Sequence, residues 1–149
     1  MDATLNKFGY PTSLIFERNN WMILLRPQQV TLGALALIEK SGVTRYSDIS
    51  LESHAELGEM IRIIEPSFSQ LFKYDKINYL MLMMVDPEVH FHVVPRYAET
   101  REFMGVVFRD PGWPGLPDMT YAADLTDDAQ GELIDKMCRQ FLSNGGSSR

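Results

Sequence analysis

The sequence lacks the features that mark several protein classes. It has one cysteine, Cys138, in 149 residues, which excludes an internal disulfide framework and favours a reducing compartment, here the cytoplasm. Its 14 basic side chains are outnumbered by 20 acidic ones, which argues against a nucleic-acid groove or an anionic membrane surface as the partner. The longest apolar run, residues 79–85, is far too short for a membrane span, and residues 1–20 show no secretory signal.

What remains is the composition of an ordinary globular domain. Hydrophobic residues make up 45% of the chain and charged residues 23%, and a chain of this length can bury one substantial core without a metal or disulfide. We expect a single domain over residues 1–144. Residues 145–149, which read GGSSR, are of low complexity and predict a disordered tail.

Hydrophobic patterning predicts an α+β domain built on an antiparallel sheet. The pair Asn19-Asn20 suits a hairpin turn between the first two strands, and the longest apolar segment favours a central strand. Residues 110–117 hold three prolines and two glycines, which indicates an irregular loop around Trp113. The predicted strands cover residues 13–16, 21–25, 34–38, 77–85, 89–94 and 103–108.

Two amphipathic segments predict the main helices. Ser50 is suited to cap the first helix, whose apolar stripe runs to Leu71, and Pro66 inside that run should kink or divide it. The second helix is expected over residues 126–142, with Thr126 as its cap. Paired strands with two separate helices favour the α+β class.

The most informative segment is residues 86–97, which reads DPEVHFHVVPRY. In a strand, alternate residues share a face, so Glu88, His90 and His92 point to one side and the apolar residues between them to the other. Burying three polar groups costs several kcal/mol unless they are paired. A carboxylate and two imidazoles in one row therefore favour a functional site over an ordinary surface.

Two kinds of chemistry fit this row. The two imidazoles can act as metal ligands from one strand, provided that further ligands come from elsewhere. Alternatively, one imidazole is a nucleophile towards phosphorus while its neighbour orients the ring or the phosphate. A nearby carboxylate or carbonyl would then hold the nucleophile in the required tautomer. The spacing alone leaves both possibilities open.

Residues 88–96, EVHFHVVPR, resemble the signature of the histidine triad (HIT) superfamily, in which three histidines alternate with apolar residues and Pro-Arg often follows. His90 and His92 match the second and third histidines, and Glu88 takes the place of the first. The similarity extends over roughly residues 10–100, in the same order of strands and helix.

The resemblance implies a half-barrel of bent antiparallel sheet with two main helices, usually forming a homodimer. It also implies a nucleotide hydrolase or nucleotidyl transferase that cleaves a phosphoanhydride or phosphoramidate, such as a diadenosine polyphosphate or an AMP-amide. His90 would be the nucleophile that forms a nucleotidyl-histidine, His92 would contact the phosphate, and Glu88 would complete the catalytic set. We expect no cofactor and no resident metal.

Departures from the family pattern define the candidate substrate-binding residues and the alternatives. The glycine-rich segment that usually precedes the triad is replaced by Asp86-Pro87, and Arg26 stands where an Asn or Asp commonly meets the ribose. Arg96, Arg26 and Asn78 are the residues expected to bind substrate. The alternatives are a nucleotide-binding module of this fold with little or no catalysis, and a metal-dependent enzyme that uses the two histidines.

Overall fold

The computed structural model describes residues 1–146 as a five-stranded sheet, a separate two-stranded hairpin and three α-helices. In chain order the elements are α1 (Asp2–Lys7), β1 (Leu14–Glu17), β2 (Trp21–Leu25), β3 (Leu35–Glu39), α2 (Leu51–Phe72), β4 (Lys76–Leu80), β5 (His90–Arg96), β6 (Arg101–Phe103), β7 (Val106–Phe108) and α3 (Asp127–Gly145).

The main sheet has the strand order β1-β2-β3-β5-β4, and every neighbouring pair is antiparallel. The hairpin between β1 and β2 turns at Asn19-Asn20, as the sequence predicts. β5 lies between two partners, with Phe91 opposite Leu37 of β3 and Val93 opposite Tyr79 of β4. The predicted α+β class and antiparallel sheet are confirmed.

The two long helices cover one face of the sheet, so the faces have different environments. α2 and α3 pack against each other, α3 packs on β1 and α2 on β2. The other face carries a smaller apolar cluster that surrounds the candidate site. That cluster consists of Phe8, Met22, Leu24, Ala36 and Ile38.

Both helix caps follow the sequence expectation. The Ser50 hydroxyl accepts a hydrogen bond from the Ser53 amide at 3.0 Å, and the Thr126 hydroxyl accepts one from the Ala129 amide at 3.1 Å. Each side-chain oxygen satisfies an amide that has no partner within the helix itself.

Of the two outcomes that the sequence predicts for Pro66, a division of α2 is wrong, because the helix runs without interruption from Leu51 to Phe72. A proline inside a helix removes one backbone hydrogen bond. Buried neighbours on both sides, Ile64 and Phe68, hold the helix against the core. In the same turn the hydroxyl of Ser67 donates to the carbonyl of Ile63 at 2.6 Å.

The expected central strand over residues 77–85 is also corrected. β4 ends at Leu80 and lies at the edge of the sheet, next to β5. Met83 has a left-handed backbone with φ of 49°, which ends the extended conformation. Met84 and Val85 are 83% exposed, so the end of this apolar run lies outside the core, whereas Met81 and Met83 are partly buried and pack against it.

Three further segments differ from the sequence prediction. α1 was not predicted, since its short polar run carries no apolar stripe. Residues 103–108, predicted as one strand, form the end of β6, the turn and β7, because Met104 and Gly105 both have positive φ, as a tight hairpin turn requires. Gly145, expected in the tail, is the last residue of α3 and Gly146 caps it. The rest of the expected tail lies outside the described residues.

Within residues 1–146, no helix is long and apolar enough to cross a membrane.

Gly33 offers a test of the packing between the β2–β3 connection and α2. Its φ is +91°, and an added Cβ would lie 2.7 Å from a ring carbon of the buried Phe72. We expect Gly33→Ala to lower the free energy of unfolding by about 1–3 kcal/mol in urea denaturation. Gly58→Ala is the control: in the described chain a Cβ there meets nothing within 4 Å, so helix propensity should raise stability by about 0.5–1 kcal/mol. Equal losses for both variants would contradict this account.

Candidate active site

β5 places two imidazoles together on the face of the sheet away from the long helices. His90 is opposite Ile38 and His92 is opposite Ala36, both members of the smaller apolar cluster. Phe91, between them, packs against the main core instead. The two histidines are 1% and 8% exposed, and their ring centroids lie 5.0 Å apart. The predicted alternation of β5 is confirmed.

The orientation of His90 is fixed by the backbone of Glu88. Its Nδ1 lies 2.6 Å from the carbonyl oxygen of Glu88. A carbonyl can only accept a hydrogen bond, so Nδ1 carries the proton and Nε2 of the neutral ring keeps its lone pair. Among the described residues Nε2 is buried and has no hydrogen-bond partner. The ring therefore keeps an unpartnered nitrogen, and His90 is one of the residues that line the adjacent cavity.

His92 is held in its neutral form by its surroundings. Burial, followed by the positive charges of Arg26 and of a protonated His90, lowers the pKa of His92 to about 4, although Asp86 opposes this shift. Its Nδ1 is buried and has no hydrogen-bond partner within residues 1–146. At neutral pH His92 therefore adds a polar but uncharged group beside His90.

Arg26 is the buried cation of the site. It follows the last residue of β2, is 9% exposed and lines a cavity of about 200 Å³ with both histidines. Burial lowers its pKa, whereas the charge of Asp86 raises it. Its Nε and Nη1 atoms have no hydrogen-bond partner in the part of the chain that the structure describes. A buried, unpaired guanidinium is costly, and phosphate oxygens match its paired donors.

The side chain of Glu88 faces the N-terminal helix. Its two carboxylate oxygens accept hydrogen bonds from the hydroxyl of Thr4 at 3.1 and 3.0 Å, and the amino group of Met1 lies 3.0 Å from Oε1. Burial of the carboxyl opposes ionisation, but hydrogen bonds from these groups outweigh it, so the pKa of Glu88 lies below its ordinary value. Glu88 therefore meets His90 through its carbonyl and α1 through its carboxylate.

Arg96 and Asn78 lie together, but in a different cavity. The Nη1 of Arg96 donates to Asn78 Oδ1 at 2.8 Å and to the Gly115 carbonyl at 2.9 Å, while Nε and Nη2 donate to Asp110 at 2.6 and 3.0 Å. They line a space of about 600 Å³ between β4 and the loop that holds Trp113. The structure thus brings His90, His92 and Arg26 together at one cavity, with Glu88 next to His90. The binding of substrate by Arg96 and Asn78 stays a prediction.

Several residues at the histidine cavity were not found from the sequence. Phe8 packs against both imidazoles, with ring centroids 6.0 Å from His90 and 5.9 Å from His92. Lys7, Asp86 and Met119 also line the cavity, and Lys7 Nζ lies 2.8 Å from Asp86 Oδ2. Asp86 lies within residues 86–97, the segment that contains both histidines. The others are distant in sequence and carry no local signal.

The metal alternative requires at least one more ligand beside the two histidines. Within residues 1–146, no three His, Cys, Asp or Glu side chains come together in a group that could hold a metal ion. The geometry of the described chain therefore offers the unpaired Nε2 of His90 and the guanidinium of Arg26 as the reactive and binding groups of the cavity.

The depressed pKa of His92 predicts a loss of stability in acid. The unfolded chain protonates this imidazole near pH 6.5, whereas the folded chain does so only near pH 4. Unfolded molecules therefore bind more protons in this range, and the free energy of unfolding falls as the pH falls from 6.5 to 4. Relative to His92→Gln, the wild type should lose up to about 3 kcal/mol over this range in urea titrations. Parallel pH profiles for the two proteins would rule this out.

Comparison with known proteins identifies the fold. No protein-family model and no curated protein sequence matches the chain. A histidine triad protein from Sinorhizobium meliloti shares 17% identity with a TM-score of 0.72, over 97% of this chain and 95% of that one. One from Marinobacter aquaeolei shares 22% identity with a TM-score of 0.69, over 88% and 89%. A hypothetical histidine triad nucleotide-binding protein from Sulfolobus tokodaii shares 15%, with a TM-score of 0.67 over 92% and 91%. At these identities the likeness establishes the architecture alone: the chain has the α+β fold of the histidine triad proteins.

Proposed function

We propose that the protein is a nucleotide hydrolase or nucleotidyl transferase of the histidine triad type, acting through a nucleotidyl-His90 intermediate. One observation carries the proposal. The Nε2 of His90 is buried and unpartnered within the described chain, and the Glu88 carbonyl holds the tautomer of the ring. The His90 residue lines the same cavity as the unpaired guanidinium of Arg26. A nucleophile and an anion-binding cation at one cavity suit transfer of a phosphorus group.

The reaction proceeds in two displacements. The lone pair of His90 Nε2 attacks the α-phosphorus of the substrate and forms a P–N bond, while the bond from phosphorus to the leaving oxygen or nitrogen breaks and its electron pair goes to the leaving group. The leaving group takes up a proton from water. Water, or another acceptor hydroxyl, then attacks the same phosphorus and loses a proton, and the P–N bond breaks to restore the lone pair of His90. The carbonyl of Glu88 stabilises the ring while it carries the phosphoryl group, because Nδ1–H remains its donor.

Arg26 and His92 supply the environment for the phosphate. The two unpaired guanidinium nitrogens of Arg26 offer donors to phosphate oxygens, and charge-assisted bonds of this kind are about twice as strong as neutral ones. Neutral His92 can donate a hydrogen bond from its one ring N–H to a phosphate oxygen without adding a second positive charge. Glu88 completes the set as the residue that orients His90 through its backbone.

Arg96 and Asn78 are proposed to meet a part of the substrate beyond the histidine cavity. The space that they line measures about 600 Å³, within the range of about 300–1,000 Å³ that is common for small-molecule sites. Arg96 is four residues beyond His92 on the same strand and shares its face, roughly 13 Å away at the usual rise of a strand. A dinucleotide substrate is long enough to reach both cavities.

A homodimer and a cytoplasmic location complete the proposal. Among the described residues β4 pairs with β5 alone, so its outer edge is available to a second chain. Leu82, Met84 and Val85, which follow β4, are 52%, 83% and 83% exposed, an unusual amount of apolar surface for a monomer. A reducing location is supported by the single cysteine.

A binding module with little catalysis is the second candidate. The segment beside the histidines, residues 82–85, is LMMV, and it lines the cavity with apolar side chains rather than with hydroxyl or amide donors. A site with fewer donors towards the leaving group would bind phosphate at Arg26 yet react slowly.

The nucleophile can be tested by trapping its adduct. We expect the wild-type protein, mixed with adenosine 5′-phosphoramidate and quenched in denaturant, to gain the mass of one adenylyl group on His90. His90→Asn should show no adduct and at least about 10³-fold lower kcat/KM. His54→Asn, a matched change at an exposed histidine of α2, should behave as wild type. Binding without an adduct or turnover would favour the binding module, and unchanged turnover in His90→Asn would end the proposal.

Replacement of Arg26 is expected to weaken the binding of AMP without lowering the free energy of unfolding. Arg26→Met should weaken binding of AMP by about 10- to 100-fold, because bonds to charged groups are worth about 1.5–3 kcal/mol. The same change should not lower the free energy of unfolding, since it removes an unpaired buried charge. Calorimetry and urea denaturation measure the two quantities. Arg62→Met on the exposed side of α2 is the control, and a variant that binds AMP normally would exclude Arg26 from the site.

A further inference from the structure

The N-terminal helix α1 is fastened over the histidine cavity by two carboxylates. Thr4 donates to both oxygens of Glu88, and Lys7 Nζ lies 2.8 Å from Asp86 Oδ2. The amino group of Met1, directly before the helix, also lies 3.0 Å from Glu88 Oε1. Both acceptors belong to the short segment that leads into β5. The two polar attachments therefore join α1 to the strand that carries the imidazoles.

Apart from these contacts α1 is weakly held. Thr4 is its one buried residue, Leu5 is half-buried, and the other four are exposed. Phe8, just after the helix, is 2% exposed and belongs to the apolar cluster beneath the histidines. Segments with few buried apolar contacts open at lower free-energy cost than the core. The structure thus combines a firmly packed Phe8 with a loosely packed helix that precedes it.

With α1 in place, the cavity beside the histidines is smaller than a usual small-molecule site. The space beside His90 and His92 measures about 200 Å³, and a second space of about 220 Å³ lies beside Pro27 and Gln28. Sites for larger ligands occupy about 300–1,000 Å³. Arg26, Lys7 and Phe8 line both spaces, so the two spaces are neighbours, and of these three residues only Lys7 belongs to α1.

We propose that α1 determines the size of ligand that reaches His90: in place, it restricts the site to a small anion, and it must leave the cavity for a nucleotide to bind. The inference rests on the proposed function, because it concerns how a nucleotide enters the same site. Displacement of residues 2–7 removes Lys7 from the lining of both spaces, while Phe8 stays packed against the imidazoles. Thr4 acts as a specificity-determining residue through its hydrogen bonds to Glu88.

Ligand affinity then depends on how often α1 is displaced. If a nucleotide binds only the open form, its apparent dissociation constant is the intrinsic constant divided by the open fraction. Weakening the attachment of α1 raises that fraction and tightens nucleotide binding. Inorganic phosphate fits the closed cavity at Arg26 and binds open and closed forms alike, so its affinity stays the same.

The test compares AMP with inorganic phosphate on the wild type and on Thr4→Val, which keeps the shape of the side chain and removes its hydroxyl. We expect Thr4→Val to bind AMP about tenfold more tightly and phosphate unchanged within about twofold, by calorimetry. Thr126→Val, which removes the cap of α3 far from the cavity, is the matched control and should leave both affinities unchanged. Equal AMP affinity in Thr4→Val and the wild type overturns the inference.

Hydrogen exchange of the wild type gives an independent readout. The amides of Leu5 and Phe8 donate to the carbonyls of Met1 and Thr4, and we expect AMP to speed their exchange while phosphate does not. Slower exchange with AMP would mean that α1 closes over the nucleotide, which also overturns the inference. Phosphate binding without AMP binding in either protein would instead defeat the nucleotide function itself, and the inference with it.

Discussion

The hydrogen bond between Nδ1 of His90 and the carbonyl of Glu88 is the contact on which the candidate site depends. It selects one tautomer, leaves the lone pair on Nε2 and requires no side chain from residue 88. The carboxylate of Glu88 is consequently available for another task, and the structure uses it to hold the N-terminal helix. A glutamate at position 88 is therefore compatible with this arrangement at His90, because the backbone oxygen is present whatever side chain residue 88 carries.

β5 can present these groups because its two faces serve different environments. Val93 and Phe91 pack towards the core under α2 and α3, whereas His90 and His92 lie against a thinner layer built from Phe8 and the small Ala36. The thin layer leaves room for Arg26 and a cavity. The pairing of β5 on both sides keeps the strand from shifting, so the spacing of the two imidazoles follows from the pleat of the sheet.

Patterns among residues that are close in sequence predict most of the fold and part of the candidate site. The period-two alternation of β5, the Asn19-Asn20 turn and the caps at Ser50 and Thr126 all depend on neighbours in sequence, and the structure confirms each of them. The edge position of β4 depends on which strands pair across the sheet, which hydropathy does not encode. Phe8 and Lys7 approach the histidines from more than eighty residues away in sequence, and no local pattern marks them.

The bonds of Arg96 have a consequence for the irregular segment after β7. One guanidinium joins β5 to Asn78 on β4, to Asp110 and to the carbonyl of Gly115. A long loop normally loses much conformational entropy when it becomes ordered, and few contacts are present to offset that loss. Here a single buried side chain holds both ends of the turn around Trp113. That wall of the larger cavity is consequently tied to the strand that carries the histidines through a side chain as well as through the backbone.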